Sequence, residues 1–583
     1  MGLFRQNKSD MSYRFELPAE LRDAVDLAAA DWRSNNKVDR FWQKDPSLWT
    51  SSGEENWLGW IDIVERQQQD LPAYAALAAD VQAAGFKHVL LLGMGGSSLC
   101  PEVLSVTFGQ QAGFPALVIV DSTDPAQVKA ARDKVNLAET LVIVASKSGS
   151  TLEPNVLKQY FFAEMVKAVG AEQAGSHFLA ITDPGSKMEQ VAKADKFRAI
   201  FYGDPTIGGR FSALSPFGVV TAAVAGLNTV KLLAEAAKAV AAAKLGPLDN
   251  PAVQLGLLMG VAANAGRDKI TIFTSPEIYD LGAWMEQLIA ESTGKLGKGI
   301  TPVDREGIAD PASYGSDRIF VYIRYAQTAD PSQDAKVAAL AAAGHPVAFI
   351  EIADLYEIFG QFFTWEVATS VAGSIMGIHP FNQPDVESAK IETRALTTVY
   401  EETGKLPTSS PILVGMLGDV DYSIYASSAY AETLKKTLTS ESLVGFLKAH
   451  LDQIKPGDYF AALAYLPMFP AHEAVIQELR HKVLAAKKVA TCVGFGPRFL
   501  HSTGQDYKGG PNTGVFLQIT ADHGVDLAIP GQKYSFGIVI DAQAAGDLAV
   551  LEARGRRALR IHLGADVAAG LKTLADAVEQ ALA

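Results

Sequence analysis

Residues 141–162 read LVIVASKSGSTLEPNVLKQYFF, and the change of pattern inside them decides the fold. The apolar run 141–145 is short enough for a parallel strand, and 153–165 has helical spacing. Between them stand Ser146, Lys147, Ser148, Gly149, Ser150 and Thr151, five hydroxyl or cationic donors and one glycine. They fall where free backbone N–H groups point out of a helix N-terminus, a place that suits an anion, and a phosphate most of all. Alone, the loop also reads as an elaborate helix cap.

Outward from this unit the pattern repeats. Runs 87–92, 117–121, 141–145 and 178–182 read as strands with helical stretches between most of them, which implies a parallel sheet covered on both faces. A second series follows an alanine-rich helix ending near residue 244, with strands expected at 270–274, 319–323 and 347–352 and helices at 277–291 and 365–376. A third stretch, from about residue 400, reads as strands near 460–466, 489–494, 515–520 and 536–540, closed by an amphipathic helix at 566–582. Residues 1–80 read as helical and polar, with Trp32, Trp42, Trp49, Trp57 and Trp60 as anchors onto a larger body. The expected fold is α/β, with boundaries at 1–80, 81–245, 246–400 and 401–583.

Composition narrows the function classes. At 583 residues the chain is too long for one core. Its 51 basic and 65 acidic residues give a net charge of −14, spread widely, which argues against a nucleic-acid face. Two cysteines, no CxxC and no His cluster at ligand spacing argue against a disulfide framework or a metal site and fit a reducing cytoplasm. The N-terminus has no apolar core of signal-peptide length. Residues 211–230 carry no charge, but their serines, glycines, proline and asparagine make them a buried helix rather than a membrane span.

A second Gly/Ser loop, LLLGMGGSSLCPEVL at 90–104, ends the preceding strand. Its glycines invite a dinucleotide reading, yet Ser98 stands where the third glycine of G-x-G-x-x-G belongs. Gly95 and Gly96 would instead let the backbone approach a phosphate, with Ser97 and Ser98 donating to it; the alternative is a tight strand–helix turn without a ligand. Two successive strands ending in donor loops make one anion pocket. With neither a nearby magnesium carboxylate nor P-loop spacing, a phosphomonoester is favoured over a nucleoside triphosphate.

GMGGSSL and SKSGSTLE together resemble the paired phosphate loops of sugar isomerase (SIS) domains, specifically those of the glucose-6-phosphate isomerase family. IGGRFS at 207–212 is similar to the family's GGR-aromatic-S segment, and QLIAESTGK at 287–295 to its Q-x-x-x-E-S-x-G-K signature. FNQPDVESAK at 381–390 resembles its F-D-Q-x-x-V-E-x-x-K segment. The resemblance implies two SIS-type doubly wound units in three layers, plus a smaller C-terminal α/β unit.

It also implies a cofactor-free aldose–ketose isomerase acting on glucose 6-phosphate and fructose 6-phosphate as a homodimer, with no metal, nucleic acid or membrane. Such a reaction opens the sugar ring, then moves a proton between C2 and C1 through a cis-enediol, which needs a carboxylate or imidazole carrier. The motif assigns that base to Glu291, whose alternative is an exposed i,i+4 pair with Lys295. Arg210 would stabilise the enediolate; its alternative is a surface salt bridge. Gln287 and Gln383 would hold hydroxyls or the phosphate, with Gly96, Ser97, Ser146, Lys147, Ser148 and Thr151 on the phosphate itself. Lys390 would assist ring opening, though a lone helical lysine is ordinarily solvated.

The family's ring-opening histidine comes from the partner subunit and precedes the lysine segment. Here the nearest match, LHSTGQDYKGGPN with His501, follows Lys390. This order resembles the isomerase half of bifunctional transaldolase–glucose-6-phosphate isomerase proteins. No transaldolase half precedes the first residue, so the second activity is expected to be absent. His379 is the rival, and a structural role is the alternative for either histidine. Two other functions compete: a non-catalytic SIS sugar-phosphate sensor, which would need the phosphate loops but not Arg210, Glu291 or Lys390, and an isomerase of a related sugar such as mannose 6-phosphate.

Overall fold

The opening strand, β1 (Ser12–Glu16), already departs from the helical reading of the N-terminal segment. The structure is a computed structural model that describes residues 12–407 and 409–583. β1 joins a sheet whose other strands lie more than 250 residues away, so nothing local in the sequence announces it.

Two compact units are present. The first runs to Asp121 and continues through Asp133–Ile308 and Arg318–Asn382; the second comprises Ser122–Arg132, Ala309–Asp317 and Gln383–Ala583. The first unit contains a sheet of β2 (His88–Leu92), β3 (Ala116–Val120), β4 (Thr140–Ala145), β5 (Phe178–Thr182) and β6 (Ala199–Tyr202), all parallel, in the order β3-β2-β4-β5-β6. Its central strands are buried on both faces, as the unbroken apolar run of β4 requires. The chain passes from β2 outward to β3 and then returns to the far side of β2 as β4. The strand order therefore reverses between β2 and β4, the place where open α/β sheets bind ligands.

A second sheet of the same unit contains β7 (Lys269–Thr274), β8 (Thr301–Val303), β9 (Arg318–Tyr325) and β10 (Val347–Ile352), ordered β1-β10-β9-β7-β8 with only β1 antiparallel. Of the uncharged stretch 211–230, helix Pro216–Val224 is buried in the core, while the start of Thr229–Ala243 brings Val230 to the surface. Among the described residues no helix is long and apolar enough to cross a membrane.

The second unit carries β11 (Leu413–Leu417), β12 (Val420–Tyr425), β13 (Tyr459–Tyr465), β14 (Ala490–Phe495), β15 (Gly514–Ala521) and β16 (Arg557–Leu563). Their order is β11-β12-β16-β15-β13-β14, four parallel strands edged by an antiparallel hairpin. The expected strand at 536–540 is instead the first turns of helix Phe536–Ala553, capped by Ser535, whose side chain accepts from Ile538 N–H. FGIVI is an apolar run too short to separate a buried helix from a strand by pattern, and the serine cap decided it. The α/β class is as expected. Residues 383–400 fold with the C-terminal sheet, and β6, β8, β11, β12 and β16 are additions to the sequence reading.

Candidate active site

Both donor loops leave the sheet at the reversal of strand order, since Leu92 of β2 is paired with Val144 of β4. After β4, Gly149 takes φ +65°, and a Cβ there would meet Met188 N at 2.2 Å, so only glycine fits. Thr151 then caps helix Leu152–Val169 without using its hydroxyl on the helix, and Asn155 braces the loop by donating to the carbonyls of Gly149 and Thr151, both at 2.9 Å. Ser148 and Ser150 are exposed, with their hydroxyls 2.8 Å apart, and the buried Ser146 hydroxyl has no hydrogen-bond partner among the described residues. A helix N-terminus with hydroxyls gathered beside it suits an anion.

Three details differ from the sequence reading. Lys147, expected on the phosphate, sends its ammonium to Asp183 (3.0 Å) and to the carbonyl of Asp204 (2.9 Å). Burial pushes the Asp183 carboxyl up, and the lysine opposes that by stabilising its charged form. Ser98 is turned inward, donating to Asp121 at 3.0 Å. Gly96 has a close protein neighbour that the sequence does not announce: a Cβ there would lie 1.9 Å from the carbonyl oxygen of Gly209. The first donor loop is thus pressed directly against the GGR segment that carries Arg210. Ser97, half-buried, stays at the rim of that loop.

Arg210 is 1% exposed and uses its whole fork. Nε donates to Ser292 Oγ (2.8 Å), Nη2 to the carbonyls of Pro380 (2.7 Å) and Asn382 (3.0 Å), and Nη1 lies 3.4 Å from Glu291 Oε2. Burial pulls the guanidinium down from its ordinary value while Glu291 holds it up. Glu291 and Gln287 lie one turn apart on helix Leu281–Thr293, and Gln287 Nε2 is 3.4 Å from the same Glu291 oxygen. Glu291 is buried rather than solvated. Lys295 reaches the carbonyl of His379 and the side chain of Asn382, both at 2.9 Å.

Aromatic packing fixes this geometry from behind. Phe211 lies between Trp60 and Phe381, at 5.0 and 5.3 Å, and Trp49 closes on Phe381 at 5.0 Å. Trp42 and Trp49 donate to the carbonyls of Ala243 and Ser370. The tryptophans therefore anchor the N-terminal segment as expected, and they do so against the arginine loop. His379 accepts Phe381 N–H on Nδ1 (3.1 Å), which puts its ring proton on Nε2. Burial first, then the charges of Lys295 and Arg210, lower its pKa to about 4 against the opposing pull of Glu54. It is neutral at physiological pH and buttresses the turn.

Gln383, Lys390 and His501 belong to the second unit. Gln383 is the exposed N-cap of helix Pro384–Thr403, which carries Lys390, and the 3₁₀ turn Arg498–His501 packs against that helix. The late histidine segment and the lysine helix are thus parts of one body. Ser292 and Lys295 were not singled out from sequence as site residues, although both stand inside the E-S-x-G-K signature.

Comparison with known proteins bears on the fold and the family. Residues 79–309 match the phosphoglucose isomerase family. That stretch is similar to a phosphoglucose isomerase domain. A glucose-6-phosphate isomerase of Rubrobacter xylanophilus is 29% identical over 377 residues, spanning 57% of this chain and 87% of that protein. One from Synechococcus elongatus is 26% identical over 454 residues, 70% of this chain and 84% of that protein. Among solved structures, a glucose-6-phosphate isomerase of Chlamydia trachomatis superposes with a TM-score of 0.56 at 18% identity, covering 68% of this chain and 90% of that one. A hypothetical protein of Thermus thermophilus gives the same score at 23% identity, covering 66% and 99%. These structural likenesses speak to the fold.

Proposed function

We propose that the protein is a glucose-6-phosphate isomerase, interconverting glucose 6-phosphate and fructose 6-phosphate. The observation that carries this reading is the buried Glu291 carboxylate beside the Arg210 guanidinium, with Arg210 joined through Gly209 to the first donor loop. A sensor of sugar phosphates has no need of that pair. Glu291 takes the proton from C2 of the open-chain aldose and returns it to C1, so the carbon skeleton is oxidised at one atom and reduced at the next without an outside electron carrier. Arg210 stabilises the enediolate oxygens, Gln287 orients the sugar hydroxyls, and the loop of Ser146, Ser148 and Thr151 holds the phosphate. A coupled assay of fructose 6-phosphate consumption tests the reading; no turnover would move it to the sensor class.

Inorganic phosphate and phosphorylated sugar acids are expected to compete with substrate at the Ser146–Thr151 loop. Ser148→Asp places a carboxylate against the phosphate, and like-charge contact costs roughly 2 kcal/mol or more, about a thirty-fold rise in KM. An unchanged KM in that variant removes the loop from the site.

For ring opening the resemblance assigns Lys390 and His501. His501→Ala is expected to isomerise open-chain substrate normally and ring-closed substrate slowly, because proton transfer at the ring oxygen is separable from enediol formation. If His379→Ala loses ring opening and His501→Ala does not, the assignment reverses. Mixing His501→Ala with Glu291→Gln protomers tests the proposed homodimer, since recovered activity requires the two residues to come from different subunits.

A further inference from the structure

The helix that carries Lys390 starts with an N-terminal problem and an unusual solution. Its N-cap residue, Gln383, makes no side-chain cap, and Pro384 at N1 has no N–H to offer. The first donor in need of a partner is Asp385 N–H, at a residue only 9% exposed. That partner comes from 120 residues away. Gln505, fully buried in the late histidine segment, accepts Asp385 N–H on Oε1 (3.0 Å) and donates from Nε2 to Asp385 Oδ2 (2.6 Å). Arg554 closes on the other carboxylate oxygen at 2.5 Å and donates to the carbonyl of Lys508 (3.0 Å), while Arg556 donates to Gly510 (2.8 Å).

We propose that the Gln505–Asp385 pair is a register lock, a positioning device that fixes the Lys390 helix to the segment bearing His501 so that both ring-opening groups are delivered by one rigid body. The pair is bidentate, so it sets rotation as well as distance. A single hydrogen bond would let the helix turn about its own axis, and Lys390, five residues after Asp385, would swing with it. Burial makes the lock costly to break, because a lone Asp385 N–H and a half-paired carboxylate would be left in a dry site. Asp385 and Gln505 both belong to the second unit. The inference rests on the isomerase reading for its kinetic consequence, but not for the lock itself.

The test uses the full chain and two measurements on Gln505→Ala, Gln505→Glu and the double variant Asp385→Asn/Gln505→Glu. Hydrogen exchange of the 383–395 peptide reads the lock directly: Gln505→Ala should lose protection there while β2 and β4 keep theirs. Kinetically, Gln505→Ala should lower kcat on ring-closed fructose 6-phosphate between about ten-fold and about a hundred-fold, as misplacement of a remote support does. Inhibition by inorganic phosphate and turnover of open-chain substrate should not move. In Gln505→Glu two carboxylates face each other, so kcat should recover toward wild type as pH falls and the pair comes to share a proton. The double variant restores one donor against one carboxylate and should recover kcat without acid. Unchanged exchange in Gln505→Ala overturns the lock, as does an unchanged kcat in an active enzyme. A general loss of protection that includes β2 and β4 would make Gln505 merely structural and overturn the lock. A wild-type chain without isomerase activity would fail the functional reading and leave the exchange result to decide the lock.

Discussion

Glu291→Gln is expected to lower kcat by about 10²–10⁴ or more while KM moves little. The substitution keeps the shape of the side chain and an oxygen toward Arg210 Nη1, now 3.4 Å from the carboxylate. It removes the one group on helix Leu281–Thr293 placed to accept a proton beside a fixed positive charge. A base acts in the transition state more than in the ground state, so binding survives. The variant should also stop exchange of the substrate's C2 proton with solvent deuterium, a signal independent of product formation. Removing the carboxylate leaves the buried Arg210 without its counter-charge, and loss of one partner from a buried pair costs about 3–5 kcal/mol. Thermal unfolding therefore has to be followed alongside activity, with rates taken well below the transition. Near-normal turnover and exchange in a folded Glu291→Gln protein would reduce Glu291 to a structural partner of Arg210.

The parts of this site that could be read from sequence are those set by local chemistry. β4 and the Ser146–Thr151 loop are legible because an apolar run, a glycine and a series of hydroxyls lie within a dozen residues. Glu291 and Gln287 are read from the resemblance of QLIAESTGK to the family signature, and helix Leu281–Thr293 sets them one turn apart. What was missed depends on pairing over long sequence distances. β1 finds β10 some 335 residues on, as in the pairing of Tyr13 with Ile350, and a five-residue edge strand announces no partner. Lys147 looked like a phosphate ligand because its neighbours are donors, but Asp183 and the Asp204 carbonyl, from later loops, claim its ammonium. Gly96 is a point of close approach as expected, and the protein neighbour there, Gly209, comes beside it only in the fold. The same holds for Gln505, whose amide has no visible task until Asp385 is beside it.

Arg210→Met is the other substitution with a large expected effect, about 10²–10³ in kcat/KM, the scale of losing a preorganised donor to a developing oxyanion. Besides Glu291, the wild-type fork is held by Ser292 and by the carbonyls of Pro380 and Asn382. The guanidinium therefore arrives already oriented, and none of its alignment has to be acquired during the reaction. Two further readouts separate chemistry from scaffolding. Without the neighbouring cation the Glu291 carboxylate is harder to ionise, so the acid limb of the kcat/KM profile should move to higher pH. Arg210→Lys should leave that limb near its wild-type position because the charge stays, yet should still lose much of kcat, because an ammonium cannot span Ser292, the two carbonyls and the enediolate together. A Lys variant with full activity would mean that charge alone suffices and that the planar fork matters only for packing. A Met variant that loses stability but keeps both kcat and its pH profile would show that Arg210 clamps the Pro380–Asn382 turn and takes no part in stabilising the enediolate.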